Sequence, residues 1–516
     1  MSSPLKNILV VGGGTAGWLT AAVLAAAHNA RLESGVRVTL IESPDVSTIG
    51  VGEGTWPSMR DTLSRIGVSE REFIRECSAS FKQGSKFVGW RTGDDEEFYY
   101  HPFSLPQGYL NANLVPYWQA EHPNISFASA FSSQEALCQL GKAPKQPETP
   151  DFAAVANYAY HLDAGKFATF LQQHCTRKLG VRHVLDHVAG VNSAENGDIA
   201  SLATRANGDI QADLFIDCTG VASLLLGKHY EVPFVSQKKV LFNDRAIAMQ
   251  VPYAADNDTI SSATIATARG AGWIWDIGLP TRRGTGYVYS SDHETDDQAE
   301  QALRHYVQSD PRSCLSVDIA ARRLKFDPGF RREFWHRNCV AVGMSAGFIE
   351  PLEASAIALV ELSAAMIRDE LPANRKVMET VAKRFNQRFS YRWERVIEFL
   401  KLHYVLTNRT DSEYWMDHCR KESIPDRLAE LLELWQYQPP SRHDLIQTDE
   451  IFPSASYQYV LYGMGFKTRP RATSCQRDSF EMAHRYFKEN QIQVEKQING
   501  LTDNRALIDY MVRTAG

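Results

Sequence analysis

Gly12, Gly14 and Gly17 follow G-x-G-x-x-G spacing between an apolar run, Asn7-Ile8-Leu9-Val10-Val11, and an alanine-rich run from Trp18 to Ala27. At a strand-to-helix turn this spacing suits a pyrophosphate. The first glycine permits the tight turn, the second lets the backbone approach the phosphates, and the third lets the helix pack close to the strand, with helix amides and dipole facing the anion. Thr15 and Ala16 lie inside the turn. A second apolar run, Val36 to Ile41, ends in Glu42, about 25 residues past Gly17, where an acid that grips ribose hydroxyls is expected. Together these signals predict dinucleotide binding. Gly50, Gly52 and Gly54, in the run Ile49 to Thr55, follow soon after. Three glycines so close let the backbone approach a flat ring, and the segment is expected to contact a flavin; a plain flexible loop is the alternative. Two later strand-and-turn signals, Phe215 to Gly220 and Val340 to Gly343, suit the long FAD molecule. A nicotinamide enzyme usually sets its catalytic groups in a separate domain after one nucleotide unit, and this chain does not divide that way. FAD is therefore favoured over NAD.

Other residues carry chemistry by type, each with a plainer reading beside it. Lys82 and Lys86 are four apart and are read as sharing one helical face; solvated lysines are the plain alternative. Glu350 and Glu353 precede the apolar run that begins near Ala354, where acids can simply support a helix N-terminus. Trp273 and Trp275, two apart on an expected strand, project to one face, as core tryptophans also would. Tyr100-His101-Pro102-Phe103 places an imidazole among aromatic rings.

The elements that must position these groups are mixed. Helical periodicity runs from Asp163 to Leu179, and strand signals cover Arg182 to Val191, Ile199 to Thr204 and Asp213 to Gly220. Residues 237–330 read as mainly β, and Asn338 to Gly343 as a buried strand before a helix from about Ala354. Apolar residues at Val377, Val381, Phe385, Phe389, Trp393, Val396 and Leu400 mark one long amphipathic helix. Further helices are expected around Leu428 to Trp435, at 478–495 and at 502–513. The fold class is α/β: an FAD-binding Rossmann-type domain of the monooxygenase-like (GR2) kind, with an inserted mainly β substrate region and a C-terminal helical region. The expected divisions are 1–90 for the FAD-binding βαβ part, 91–160 for a loop-rich insertion near the substrate pocket, 161–370 for the rest of the FAD fold with its β region, and 371–516 for a mostly helical cover.

The 516 residues carry a net charge of −6, with 44% hydrophobic and 22% charged residues. This is ordinary soluble composition and gives no reason to expect nucleic acid or an anionic membrane as partner. No run approaches the ~20 apolar residues of a membrane span, and no signal peptide is seen, so a cytoplasmic location is expected. The eight cysteines show no C-x-x-C and no zinc spacing, which predicts reduced, mostly buried thiols and no metal site.

Five segments together resemble the flavin-dependent halogenases of the tryptophan-halogenase family: Gly12 to Trp18; Ile49 to Thr55; Phe81-Lys82-Gln83-Gly84-Ser85-Lys86-Phe87; Gly272-Trp273-Ile274-Trp275-Asp276-Ile277; and Phe348-Ile349-Glu350-Pro351-Leu352-Glu353. The lysine segment and the W-x-W-x-I pair are the most restrictive. The resemblance implies FADH2- and O2-dependent halogenation through a flavin hydroperoxide and hypohalous acid, which migrates to a separate aromatic-substrate pocket. It makes Lys82 the essential lysine, acting on hypohalous acid through a hydrogen bond or as a haloamine, with Lys86 structural. It makes Glu353 the active-site carboxylate that stabilises the cationic ring and accepts its proton. By the same resemblance Trp273 and Trp275 shield the flavin side from the substrate, and His101 and Phe103 line the substrate pocket. Ser355 and Ala356 take the halide. Gly12, Gly14, Thr15, Ala16, Gly17, Glu42, Val51, Gly52, Val188, Met344 and Ile357 hold FAD.

The chain also departs from that pattern. Where family members that chlorinate tryptophan usually carry Ser-Thr-Gly after the glutamate, it has Ala354-Ser355-Ala356, and Gly278 stands where Pro is usual. The hydroxyl that orients the lysine is missing, and bromide, easier to oxidise than chloride, becomes the favoured halide. The region Ile451 to Tyr459 offers no match for the segment that grips free tryptophan, so an open pocket for indole, a substituted indole or a larger aromatic is expected. No second G-x-G-x-x-G is present, so reduced flavin is expected from a separate NAD(P)H-dependent reductase; a homodimer is left open. The alternatives are a flavin monooxygenase that hydroxylates or epoxidises an aromatic, and a flavin-binding protein without turnover.

Overall fold

The computed structural model describes residues 4–45, 52–314, 316, 319–469 and 474–514. Contacts divide the chain into two discontinuous units. The first comprises Met1–Ala79, Leu162–Gln237 and Asp327–Trp393; the second comprises Ser80–His161, Lys238–Phe326 and Glu394–Gly516.

The first unit is built on a six-stranded sheet in the order Trp335–His336, Cys339–Ala341, Leu214–Asp217, Asn7–Val11, Arg37–Glu42, Arg182–Leu185. All neighbours pair parallel except the short edge strand Trp335–His336. The sequence Ile8-Leu9-Val10-Val11 is apolar throughout because the strand it forms is covered on both faces. The helix Thr15–Ala27 packs against the helices Ser355–Asp369 and Ala164–His174. Its run of small and apolar residues is buried almost all round, which explains the absence of a polar stripe. On the other face, the antiparallel sheet of Val188–Ser193, Ile199–Thr204 and Asp209–Gln211 closes a core of Leu9, Val11, Ile41, Val184, Leu202 and Phe215. The strand predicted from Arg182 to Val191 is therefore two strands in two sheets, broken at Asp186-His187.

The second unit holds a seven-stranded sheet in the order Ala321–Lys325, Arg245–Pro252, Arg282–Tyr289, Gly272–Gly278, Thr264–Arg269, Gly84–Val88, Phe98–Pro102. One pair, Thr264–Arg269 with Gly84–Val88, runs parallel. The helix Asp296–Ser309, which the mainly β reading of 237–330 did not include, is capped by a Thr295/Gln298 box and buries Ala299, Leu303 and Val307 on Ile247, Met249, Ile274 and Tyr287. Residues 91–160 are less loop-like than expected. They contain the strand Phe98–Pro102 and the short helices Val115–Glu121, Phe127–Phe131 and Gln134–Gln139. The C-terminal helices are Glu413–His418, Asp426–Trp435, Ser454–Gly463, Ser474–Gly500 and Asn504–Thr514. The long helix Arg375–Val405 supplies residues to both units. Among the described residues no helix is long and apolar enough to cross a membrane.

Candidate active site

In the first unit the parallel strands end together at a cavity of about 550 Å³. Their last residues, Val11, Ile41, Glu42 and Ala341, line it, as the carboxyl edge of a parallel sheet should. Gly12 has φ 112°, and a Cβ there would lie 2.2 Å from the Cys218 carbonyl oxygen, so the turn must be glycine where two neighbouring strands meet. At Gly17 a Cβ would lie 1.9 Å from the Gly12 carbonyl oxygen, which brings the helix start hard against the turn. Gly14 differs: a Cβ there meets no atom within 4 Å, because it faces the cavity.

The residues present fit FAD. Gly14 is the N-cap of the Thr15–Ala27 helix, and no side chain among the described residues caps it, so its first amides are open to a pyrophosphate. Of the residues expected to hold FAD, Gly12, Gly14, Thr15, Ala16, Glu42, Val188, Met344 and Ile357 line the cavity. Gly17 sits beneath the turn, and Gly52 is buried in the strand Gly52–Gly54. Val51 lies outside the described residues, as do Ile49 and Gly50 of the same motif. Glu42 leans over Gly13 and pairs with His183, Oε1 to Nε2, at 2.8 Å. Ser355 and Ala356 also line the cavity.

Sequence reasoning missed several wall residues. Asp186 and His187 stand at the strand break noted above, and Asp186 accepts hydrogen bonds from the amides of His187, Ala206 and Asn207. Glu53 also lines the cavity, and burial, then the nearby Asp163 carboxylate, pushes its pKa up to about 7. The third glycine motif contained Glu53 in plain view, but an acid between glycines has no pattern that announces burial.

Glu353 is buried just before the Ser355–Asp369 helix, in left-handed backbone with φ 62° and ψ 10°; Ala354 follows at φ 56°. The Trp56 indole Nε1 donates to the Glu353 carbonyl at 2.7 Å. Glu350 is buried as well, but the helix N-cap is Ala354, so Glu350 is not in the capping position.

In the second unit the reading of Lys82 and Lys86 as helical neighbours is overturned. Lys82 ends the strand Ser80–Lys82, and Lys86 lies in the strand Gly84–Val88, beyond Gln83. Gln83 joins two sheets: its amide donates to the Ser262 carbonyl at 2.7 Å and its carbonyl accepts from the Phe103 amide at 3.1 Å. These β pairings outweigh the weak helical spacing of two lysines. Lys82 is only 1% exposed, with Nζ 5.3 Å from the Phe103 ring centroid. Lys86 is half-buried over the Phe98 ring, 4.3 Å away. Lys82 and Phe103 are thus brought together, and His101 lies on the adjoining strand with Nε2 2.9 Å from Ser456 Oγ. Ser456 belongs to the buried helix Ser454–Gly463, which falls in the region expected to lack a tryptophan grip.

His161 was not foreseen. It pairs across the ladder with Ser80, on the strand that carries Lys82, and its Nε2 lies 2.8 Å from Thr264 Oγ1. Burial, and then the Lys82 charge, hold its pKa well below the usual histidine range, so it is neutral. Trp273 and Trp275 share one face of the strand Gly272–Gly278, with ring centroids 6.5 Å apart. The Trp275 ring occupies the space left by Gly286, where a Cβ would come within 2.1 Å of it.

A parallel sheet with a glycine turn facing a cavity at its carboxyl edge defines a dinucleotide-binding fold. The chain belongs to the tryptophan halogenase family, whose sequence model matches residues 7–478. Tryptophan 6-halogenase SttH of Streptomyces toxytricini is 34% identical over 480 residues, which span 89% of this chain and 89% of that protein. Among solved structures, a tryptophan halogenase from Shewanella frigidimarina NCIMB 400 superposes with a TM-score of 0.96 at 50% identity, covering 99% of this chain and 98% of that one. Tar14, a tryptophan C-6 flavin-dependent halogenase (chlorinase) from taromycin biosynthesis, gives a TM-score of 0.90 at 34% identity over 98% of this chain and 99% of that one. The protein is an enzyme, a flavin-dependent halogenase of the kind that relies on a separate flavin reductase.

Proposed function

We propose that this halogenase acts on an electron-rich aromatic such as indole or a substituted indole, and that it brominates more readily than it chlorinates. The observation that carries the reading is Lys82, almost wholly buried yet placed against the face of Phe103. A buried ammonium is costly and persists where it has work to do.

Bound FAD, reduced elsewhere, supplies with O2 the two-electron oxidation that turns halide into hypohalous acid. Gly12, Gly14, Thr15 and Ala16 would hold its phosphates and Glu42 its ribose, and Val188, Met344 and Ile357, which line the same cavity, would pack against it, with Gly17 and Gly52 supporting the turn and strand beside them. The Ser355 hydroxyl and the Ala356 amide bind the halide. The extra methyl of Ala356, in place of the usual glycine, and the hydroxyl missing at Ala354 favour the more easily oxidised bromide. Lys82 either donates a hydrogen bond that polarises the oxygen–halogen bond or carries the halogen as a haloamine. Attack by the arene places positive charge on its ring; the Glu353 carboxylate stabilises that charge and accepts the ring proton. His101 and Phe103 stack on the aromatic, and Trp273 and Trp275 keep it from direct oxygenation. The preference for indole over free tryptophan rests on the region 451–459, where no match can be placed for the residues that grip the amino-acid backbone in tryptophan halogenases.

The test supplies purified enzyme with flavin reductase, FAD, NADH, O2 and either halide, and screens an aromatic panel by mass spectrometry. Brominated indole is expected as the dominant product when both halides are present. Lys82→Ala and Glu353→Gln should each lower halogenation by at least about 100-fold. Unchanged halogenation in both variants would remove the site assignment, equal use of free tryptophan would remove the open pocket, and a halide-independent hydroxylated product would mark a monooxygenase.

A further inference from the structure

The backbone that carries Glu353 is held by a side chain some 300 residues earlier in the chain. Glu353 and Ala354 are consecutive non-glycine residues at φ 62° and 56°, a left-handed conformation that L-residues avoid unless something holds them there. The Ala354 amide donates to the Pro351 carbonyl at 2.9 Å, which closes the turn on one side. On the other side the Glu353 carbonyl accepts from Trp56 Nε1 at 2.7 Å. Trp56 is itself anchored. Two residues later begins the helix Ser58–Arg65, whose Thr62 Oγ1 and Ser58 Oγ donate to the Glu361 carboxyl at 2.6 and 3.2 Å. Glu361 lies two turns beyond Glu353 on the helix Ser355–Asp369. The two helices are thus tied at two levels, and the upper tie grips the peptide that sets the direction of the Glu353 side chain.

We propose that Trp56 is a positioning residue for Glu353: its indole N–H holds the left-handed peptide and so aims the carboxylate. This rests on the reading of Glu353 as the acid that serves the arene. A peptide released from that bond relaxes toward negative φ, which swings the Cα–Cβ bond of Glu353 and misplaces the carboxylate without removing it.

The test is a double-mutant cycle of Trp56→Phe with Ala354→Gly, read by kcat and KM for the arene, by FAD affinity and by crystallography. Trp56→Phe keeps an aromatic ring and deletes the donor. It should lower kcat by about 10- to 100-fold while KM and FAD affinity stay within about twofold. Its crystal structure should show Glu353 at negative φ. In the Ala354→Gly background, where glycine adopts the left-handed state freely, the same replacement should cost less than about threefold. Should the phenylalanine variant fail to fold, 3-benzothienylalanine at position 56 deletes the N–H and keeps the bicyclic shape. Unchanged kcat on loss of the N–H, an equal loss in both backgrounds, or a parallel loss of FAD affinity would overturn the proposal. Glu353→Gln is the control that separates the two readings. If it stays active, the role of Glu353 itself fails; if it is inactive while the Trp56 variant is fully active, only the positioning role fails.

Discussion

Gly14 and Gly17 belong to one motif but face different surroundings, and substitution should separate them. Gly14 has φ −76° and ψ −176°, open to any residue, and its missing Cβ points into the cavity. Gly14→Ala should therefore melt within about 2 °C of the parent, since exposed substitutions shift stability little, yet bind FAD more weakly. Gly17→Ala sets a Cβ against the Gly12 carbonyl and must push the helix away; it should lower the melting temperature as well as FAD affinity. Differential scanning fluorimetry beside a flavin fluorescence titration checks both. The motif was fully legible in the sequence, because its requirement is local. The burial of Lys82 was not: nothing in Phe81-Lys82-Gln83 says that strands will enclose it.

Among the elements, the helix Ser355–Asp369 carries a charge-bearing residue that its fold keeps neutral. Burial pushes the Glu361 carboxyl up to about 8, despite hydrogen bonds from Thr62 and Ser58 that favour the ion. Between about pH 4.5 and 8 the folded protein therefore holds a proton that the unfolded chain has released, so stability falls as pH rises through that window. Glu361→Gln should remove this slope: its advantage over the parent should grow from pH 5 to about pH 8 and then level off, as followed by thermal melts. In the second unit, the strand Gly272–Gly278 is fixed by Asp276, which takes a two-pronged bond from buried Arg283 at 2.7 and 3.1 Å; Arg283 also reaches Asp310 at 2.8 Å. Asp276→Asn leaves that guanidinium short of charge and should cost about 3–5 kcal/mol, seen as an earlier denaturation midpoint. Long helices and β runs were readable from period alone. The five- to seven-residue helices between 115 and 139 were not, since so few turns establish no period.

At the scale of the whole molecule, the nucleotide sheet is assembled from three separated stretches of chain. With a single G-x-G-x-x-G in 516 residues, no second dinucleotide turn is available for NAD(P)H. NADH with FAD alone should give no halogenated product, whereas chemically or photochemically reduced FAD, mixed with oxygenated buffer and halide, should restore product without any reductase. Product that forms from NADH in the absence of both would show a nicotinamide site within the chain.

What the sequence determined by itself was what depends on neighbours in the chain: the glycine turn, the long helices, the buried strands, and the restrictive segments around Lys82, Trp273 and Glu353 that carried the family resemblance. Tertiary structure alone decided what depends on partners far along the chain. The Gln83 link between Ser262 and Phe103 made the lysine segment β rather than helical, the break at Asp186-His187 turned one strand into two and placed those residues on the cavity, and an indole some 300 residues away came to hold the peptide of Glu353. Local patterns record backbone preference and burial period, while a hydrogen bond between distant segments leaves no spacing to read.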